Sequence, residues 1–242
     1  MTSLTQDTDP IPRAERPAAN PPPFPPTWAL KVTMAVTGMA FAAFLAFHMA
    51  GNLKVYLGAE DFDHYADWLR TLLNPLVPGE VFLWIFRVVL GLSFVAHVGS
   101  GAILWYRARK ARGPHARKIL VNRISARTMI WTGLILGSFV TFHVLELTVG
   151  MRPMASDAFV QGSAYANLVH SFSRPAVAFF YGLTMALLAF HLSHGLLSVV
   201  NDLGATGRRF RAVWFAIAGI VAVLIVLGNL SIPIAVQTGI LT

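Results

Sequence analysis

The sequence predicts an all-α membrane protein with five transmembrane helices. The chain has 242 residues, of which 55% are hydrophobic and 12% are charged, whereas soluble domains carry about 25% charged residues. Five apolar segments are each long enough to cross a hydrocarbon core of about 30 Å. We place these spans at about 28–51, 80–106, 127–149, 175–200 and 212–236. Residues 28–236 are therefore expected to form one transmembrane domain, followed by a short outer tail at 237–242.

Residues 1–27 precede the first span and are rich in proline and polar side chains, without hydrophobic periodicity. Such a composition is typical of a disordered or extended segment. A signal peptide would instead begin with basic residues and continue into an apolar run. We expect a flexible cytoplasmic tail, with a docking strap for a soluble partner as the alternative.

The basic residues are concentrated in two loops. Eight Lys and Arg residues and no acid lie between Arg107 and Arg127, after the second span. Arg208, Arg209 and Arg211 lie between the fourth and fifth spans. Five spans place both loops on one side of the membrane, and basic loops mark the cytoplasmic side. This pattern predicts a cytoplasmic N-terminus, and it explains the net charge of +8 without nucleic-acid binding.

Two loop segments show helical periodicity outside the spans. Residues 60–73 place aromatic and leucine side chains on one helix face, which is typical of an amphipathic helix lying at the membrane surface. Residues 164–173 show a weaker form of the same pattern. We expect the first of these helices to cover the outer end of the bundle.

Four histidines lie inside four different spans, where ionisable residues are costly and mark candidate functional sites. The alternating helix directions place His48 and His143 in the outer half of the membrane, and His97 and His191 in the inner half. At 1.5 Å per residue the two depths are roughly 15 Å apart. Paired imidazoles across a helix bundle hold b-type haem. The sequence therefore predicts an outer haem site at His48 with His143, and an inner one at His97 with His191.

Glycine follows three of these histidines by three or four residues, on the same helix face. The glycines are Gly51, Gly101 and Gly195. We expect them to leave room for a flat macrocycle. His143 is the exception because Glu146 takes that position, and we expect this carboxylate to be solvated near the outer helix end.

His194 competes with His191, because the two are only three residues apart. Gly195 favours His191, and His194 would then bond a propionate or a carbonyl near the cytoplasmic interface. The sequence contains no cysteine, which excludes covalently attached haem and thiolate-ligated clusters within this chain. Any haem must be held by side-chain ligation alone.

Basic side chains near the bundle ends are candidate partners for haem propionates, because buried carboxylates need charge or hydrogen-bond donors. The inner candidates are Arg123 and Arg127, and the outer candidates are Arg87 and Arg174. Snorkelling to the membrane interface is the alternative for all four.

Three roles without haem are alternatives for the four histidines. A zinc or copper site would need ligands that converge at one depth, and a proton-coupled transporter would need carboxylates within the membrane. A haem-free structural anchor would use the histidines only as hydrogen-bonded packing residues.

Four segments together resemble a known family. They are TGMAFAAFLAFHMAGNLKVYLG, FVAHVGSGAILW, NRISARTMIWTGLILGSFVTFHV and FHLSHGLLSVVNDLG, in that order. From about Trp28 to the last span, the chain resembles the single-subunit, five-helix, dihaem cytochrome b anchor of succinate dehydrogenase and fumarate reductase. The resemblance implies that His97 and His191 hold a proximal haem near the soluble subunits, and that His48 and His143 hold a distal one.

The resemblance also implies a function. The chain would anchor a succinate:quinone oxidoreductase in a bacterial cytoplasmic membrane, with a flavoprotein and an iron–sulfur protein on the cytoplasmic face. It would pass electrons to menaquinone or ubiquinone and perform no succinate chemistry itself. Trp28, Lys31 and Thr33 are candidate quinone contacts, because they combine an aromatic surface with donors. The alternative within cytochromes is the dihaem subunit of a hydrogenase or formate dehydrogenase.

Overall fold

A computed structural model describes residues 23–112, 120–204 and 207–242, with side chains for all of these except 112 and 120–127. The regular secondary structure in these ranges is entirely helical. The helices are α1 (Thr27–Asn52), α2 (Ala59–Arg70), α3 (Val81–Arg112), α4 (Leu120–His143), α5 (Ala164–Phe172), α6 (Pro175–Asp202) and α7 (Arg208–Gln237). The prediction of an all-α protein is confirmed for the described ranges.

Within the described ranges, five helical segments are long and apolar enough to cross a membrane, as the sequence predicts. They are Thr27–Leu57, Val81–Ala111, Thr128–Val149, Pro175–Asp202 and Arg208–Gln237. The first span extends past its predicted end at residue 51 because irregular helix continues it, whereas the third span ends at 149 as predicted. A 3₁₀ turn continues α1 through Leu53–Leu57, and a π-helical turn continues α4 through Val144–Val149. Most of the predicted N-terminal tail, residues 1–22, and residues 113–119 of the basic loop lie outside the described residues.

Helix α6 lies at the centre of the bundle and packs against α1, α4 and α7. Its buried leucines face small side chains of α7, including Ala218 and Ala222. Small residues let two helix backbones approach closely where lipid supplies no hydrophobic driving force. This packing fixes α7, which carries no histidine, on the outside of the other long helices.

Helix α3 is the most exposed of the five long helices. No residue in its most apolar stretch is buried, and α3 packs mainly against α1. Side chains such as Leu92 and Val95 are exposed along its length. Lipid tails are as apolar as leucine, so this surface is suited to face the hydrocarbon core.

The two predicted amphipathic segments are the short helices α2 and α5, which pack against each other. The Phe62 and Tyr165 rings lie 6.5 Å apart, and Asp63 Oδ1 accepts a hydrogen bond from the Tyr165 backbone N–H at 2.8 Å. This bond satisfies one of the N–H groups left unpaired at the start of a helix. Helix α2 packs on the turn after α1, and α5 packs on α6 and α7. Both therefore lie at the end of the bundle where α1 ends and α6 begins.

Candidate functional site

The structure brings the four intramembrane histidines together in two pairs. The ring centroids of His48 and His143 are 5.8 Å apart, and those of His97 and His191 are 6.5 Å apart. In the described part of the chain, none of the main helix-packing contacts joins α1 to α4 or α3 to α6. The main contacts order these helices as α3, α1, α6 and α4, so each histidine pair joins two helices that have one other helix between them.

The spacing of both pairs fits a metal ion between two imidazoles. A metal–imidazole bond is about 2 Å long, so the ring centroids of two ligands on opposite sides of one iron lie about 6 Å apart. Among the residues with described side chains, no group of three or more His, Cys, Asp or Glu residues converges as for a metal ion. The assignment of the four histidines as iron ligands stays a prediction.

A threonine of α1 fixes the ring of His97. The Thr37 hydroxyl donates to the Thr33 carbonyl at 2.6 Å, and its oxygen lies 2.9 Å from His97 Nδ1. A hydroxyl has only one hydrogen, so Thr37 accepts the second bond and Nδ1 carries the proton. His97 Nε2 is then the unprotonated nitrogen, which is the form that binds a metal.

His191 is held in the same way by α4. The Thr132 hydroxyl donates to the Thr128 carbonyl at 2.7 Å, and it lies 3.1 Å from His191 Nδ1. The same argument leaves Nε2 of His191 available to a metal. Because the structure pairs His191 with His97, the geometry favours His191 over His194 as the ligand candidate.

Glycines of the neighbouring helices let these two rings approach. A Cβ at Gly38 would lie 3.4 Å from His97 Cε1, and one at Gly133 would lie 3.4 Å from His191 Cε1. The clearance predicted beside the histidines is wrong for Gly51, because the Tyr65 ring occupies that space. At Gly195 the space is open. Close approach to the inner histidines thus depends on the facing helix.

These threonines and glycines belong to an internal repeat that the sequence analysis missed. TGMAFAAFLAFH in α1 and TGLILGSFVTFH in α4 share the pattern T-G-x5-F-x2-F-H and start 95 residues apart. In both copies a phenylalanine one turn earlier stacks on the histidine, at 5.2 Å in α1 and 5.8 Å in α4. The α1–α3 and α4–α6 segments therefore repeat one unit of long helix, short helix and long helix. Self-similarity at a fixed period was the available signal.

The second copy carries a buried charged network beside His143. The Tyr181 hydroxyl donates to Glu146 Oε2 at 2.7 Å and lies 3.0 Å from His143 Nδ1, so its oxygen accepts the imidazole proton. Glu146 also accepts hydrogen bonds from Ser171 and from the Arg174 guanidinium. His143 is thereby linked through a tyrosine to an ion pair.

The expectation that Glu146 is solvated is wrong, since its side chain is only 1% exposed. The π-helical turn at Val144–Val149 begins directly after His143 and contains Glu146; such turns are often found at functional sites. Arg174, just before α6, supplies the charge that a buried carboxylate needs.

The arginines predicted to contact haem propionates lie in different surroundings. The Arg87 guanidinium lies over the Trp84 ring at 4.9 Å, an arrangement typical of a cation–π contact. Arg174 is engaged by Glu146 and donates to the Met154 carbonyl at 2.8 Å. The side chains of Arg123 and Arg127 lie outside the described residues.

The three candidate quinone contacts lie near the start of α1. The Trp28 side chain is 70% exposed, and Lys31 forms an ion pair with Asp202 of α6 at 3.1 Å. Thr33 provides the carbonyl that orients Thr37. The structure thus gives Lys31 and Thr33 roles in joining helices and holding His97.

No known protein family, curated protein or solved structure matches this chain.

Proposed function

We propose that this chain is the membrane-anchor and electron-transfer cytochrome b subunit of a succinate:quinone oxidoreductase, in a bacterial cytoplasmic membrane. The observation that carries the proposal is the arrangement of two histidine pairs. Each pair comes from two helices that share none of the main packing contacts among the described residues, and each has a ring spacing suited to axial ligation of iron. The sequence resemblance supplies the enzyme class.

Within this proposal, His97 and His191 hold an inner haem and His48 and His143 hold an outer one. Two b haems held there would supply one-electron transfer along the bundle. The chain's own residues keep the ligands in place. Thr37, Thr132 and Tyr181 fix imidazole rings and their Nδ1 protons, and the apolar helices exclude water from the sites.

The proposed partners are a flavoprotein and an iron–sulfur protein on the cytoplasmic face. Two features support a basic docking face there. Arg208 and Arg209 are exposed at the start of α7, and Arg107 donates to the Pro25 carbonyl at 2.6 Å, which ties the end of α3 to the chain before α1. Trp28, exposed at the same end, remains a candidate contact for menaquinone or ubiquinone, which would accept the electrons.

The proposal is tested by a dithionite-minus-air difference spectrum of the purified protein with pyridine haemochrome quantitation. We expect about two b haems per chain. A folded sample, produced with haem available, that binds none would contradict the cytochrome function and favour a structural anchor or transporter. Copurification of a flavoprotein and an iron–sulfur protein that oxidise succinate separates this proposal from the cytochrome of a hydrogenase or formate dehydrogenase.

Gly133→Val is expected to weaken the inner site selectively. The new Cβ would already lie 3.4 Å from His191 Cε1, and the added methyl groups would push the ring away. Overpacking of this kind costs about 1–3 kcal/mol, which corresponds to haem retention weaker by roughly 5-fold to 150-fold. Haem released during detergent washing, followed spectroscopically, measures the effect.

Gly91→Val is the matched control for that substitution. Gly91 is also a glycine of a long helix, but a Cβ there meets no atom within 4 Å. Equal haem release from the two variants would contradict the assignment of His191 to a haem site.

A further inference from the structure

In the described residues, the outer histidine pair differs from the inner pair in its hydrogen bonds, because His143 is linked through Tyr181 to a carboxylate. Threonines accept the Nδ1 protons of His97 and His191, and the threonine hydroxyls in turn donate hydrogen bonds to neutral main-chain carbonyls. Tyr181 accepts the Nδ1 proton of His143, and the Tyr181 hydroxyl in turn donates a hydrogen bond to the Glu146 carboxylate. The three imidazoles thus donate to similar hydroxyls, but of these three chains only the one from His143 ends on a charged acceptor.

A comparison of the two copies of the internal repeat shows that the link to a carboxylate is a difference between them. Glu146 follows His143 by three residues, and the equivalent position after His48 is Gly51. Tyr65 packs into the space at Gly51, so no carboxylate stands there. The two ligand candidates of the outer site therefore differ, although they come from matching sequences.

We propose that Tyr181 and Glu146 are positioning residues that set the reduction potential of the outer haem. This inference rests on the proposed function. A hydrogen bond to the second nitrogen of a ligating histidine fixes the ring and raises its basicity. A charge-assisted acceptor strengthens that bond, and a more basic ligand favours the oxidised iron. The chain from His143 to Glu146 therefore lowers the potential of the outer haem.

Arg174 balances the charge of Glu146 and so limits how far that charge acts. Its Nη2 pairs with Glu146 and its Nη1 donates to the Met154 carbonyl, so the carboxylate is held in place with its charge balanced. Ser171 binds the same carboxylate oxygen. Because the ion pair carries no net charge, its influence reaches the iron through the oriented hydrogen bonds of Tyr181 and His143.

The test is the midpoint potential of each haem in the full-length haem-loaded protein, by spectroelectrochemical titration. Tyr181→Phe keeps the ring and removes the bond to His143. We expect the outer potential to rise, so that the ratio of reduced to oxidised haem at a fixed potential increases about tenfold, or about 59 mV for one electron. Glu146→Gln should shift it in the same direction. The electron paramagnetic resonance signal of the oxidised outer haem should change in both variants.

Thr132→Val is the matched variant at the inner site. It removes the acceptor of the His191 proton, and we expect a smaller shift that affects the inner haem alone, since the Thr132 hydroxyl donates to neutral main-chain carbonyls. Outer-haem signals that stay at the wild-type values in Tyr181→Phe, with both haems bound, overturn the inference and leave the proposed function intact. If Tyr181→Phe loses the outer haem, Glu146→Gln decides, and an unchanged outer potential there overturns it. Haem-free wild-type protein overturns the proposed function itself.

Discussion

His97→Ala is expected to halve the haem content of the protein, from about two b haems per chain to about one. The ring of His97 lies beside that of His191, so under the proposed function the inner haem would lose one of its two axial ligands. The outer pair lies on α1 and α4, and its contacts do not depend on His97. Pyridine haemochrome quantitation against protein concentration measures the loss, and His143→Ala should remove the other haem.

Two exposed histidines provide the controls. His64 of α2 and His170 of α5 are outside the predicted spans, and their alanine variants should keep both haems. His194→Ala tests the competing ligand and should also keep both. Full haem content in His97→Ala, or a loss in His194→Ala equal to that in His191→Ala, would refute the assigned inner pair.

Arg174→Ala is expected to destabilise the bundle by about 3–5 kcal/mol, which is the usual cost of removing one partner of a buried ion pair. Glu146 is 1% exposed and would keep its hydrogen bonds to Ser171 and Tyr181 without a compensating cation. Because the Arg174 side chain is itself 32% exposed, water can partly replace it, and we expect the lower end of this range. The unfolding temperature in detergent should fall by roughly 10 °C.

Arg152→Ala is the matched control for Arg174→Ala. Arg152 lies between the π-helical turn and α5, and it pairs with Asp157 at 3.3 Å, but the two side chains are 66% and 93% exposed. Exposed pairs contribute at most about 1 kcal/mol. The double variant Arg174→Ala with Glu146→Gln should recover part of the lost stability, since no carboxylate remains uncompensated. Equal effects of the two arginine substitutions would show that Glu146 is not buried as described.

The number of spans and the pairing of the histidines could be predicted from the sequence, because they depend only on hydropathy and on the direction of each helix. Length and hydropathy define the five spans, and alternation of helix direction is enough to pair His48 with His143. The hydrogen-bond partners were not accessible in this way. A threonine in an apolar helix can satisfy itself on the carbonyl one turn earlier, so nothing in α1 alone indicates that Thr37 also reaches a histidine of α3.

The burial of Glu146 could not be predicted from its position near a helix end. Its partner Arg174 is 28 residues away in the sequence, and only the folding of α5 against the start of α6 brings them together. The prediction that Gly51 leaves open space beside His48 was wrong for a related reason. Gly51 lies on the same face as His48, but the side chain that fills its space comes from Tyr65 of the next helix.

The internal repeat has a geometric consequence for both histidine pairs. The members of each pair occupy equivalent positions in the two copies, 95 residues apart for His48 and His143 and 94 for His97 and His191. Each copy of the repeat therefore contributes one histidine to the outer pair and one to the inner pair. A single α1–α3 unit holds only one histidine of each pair, so neither pair can form within one copy of the repeat.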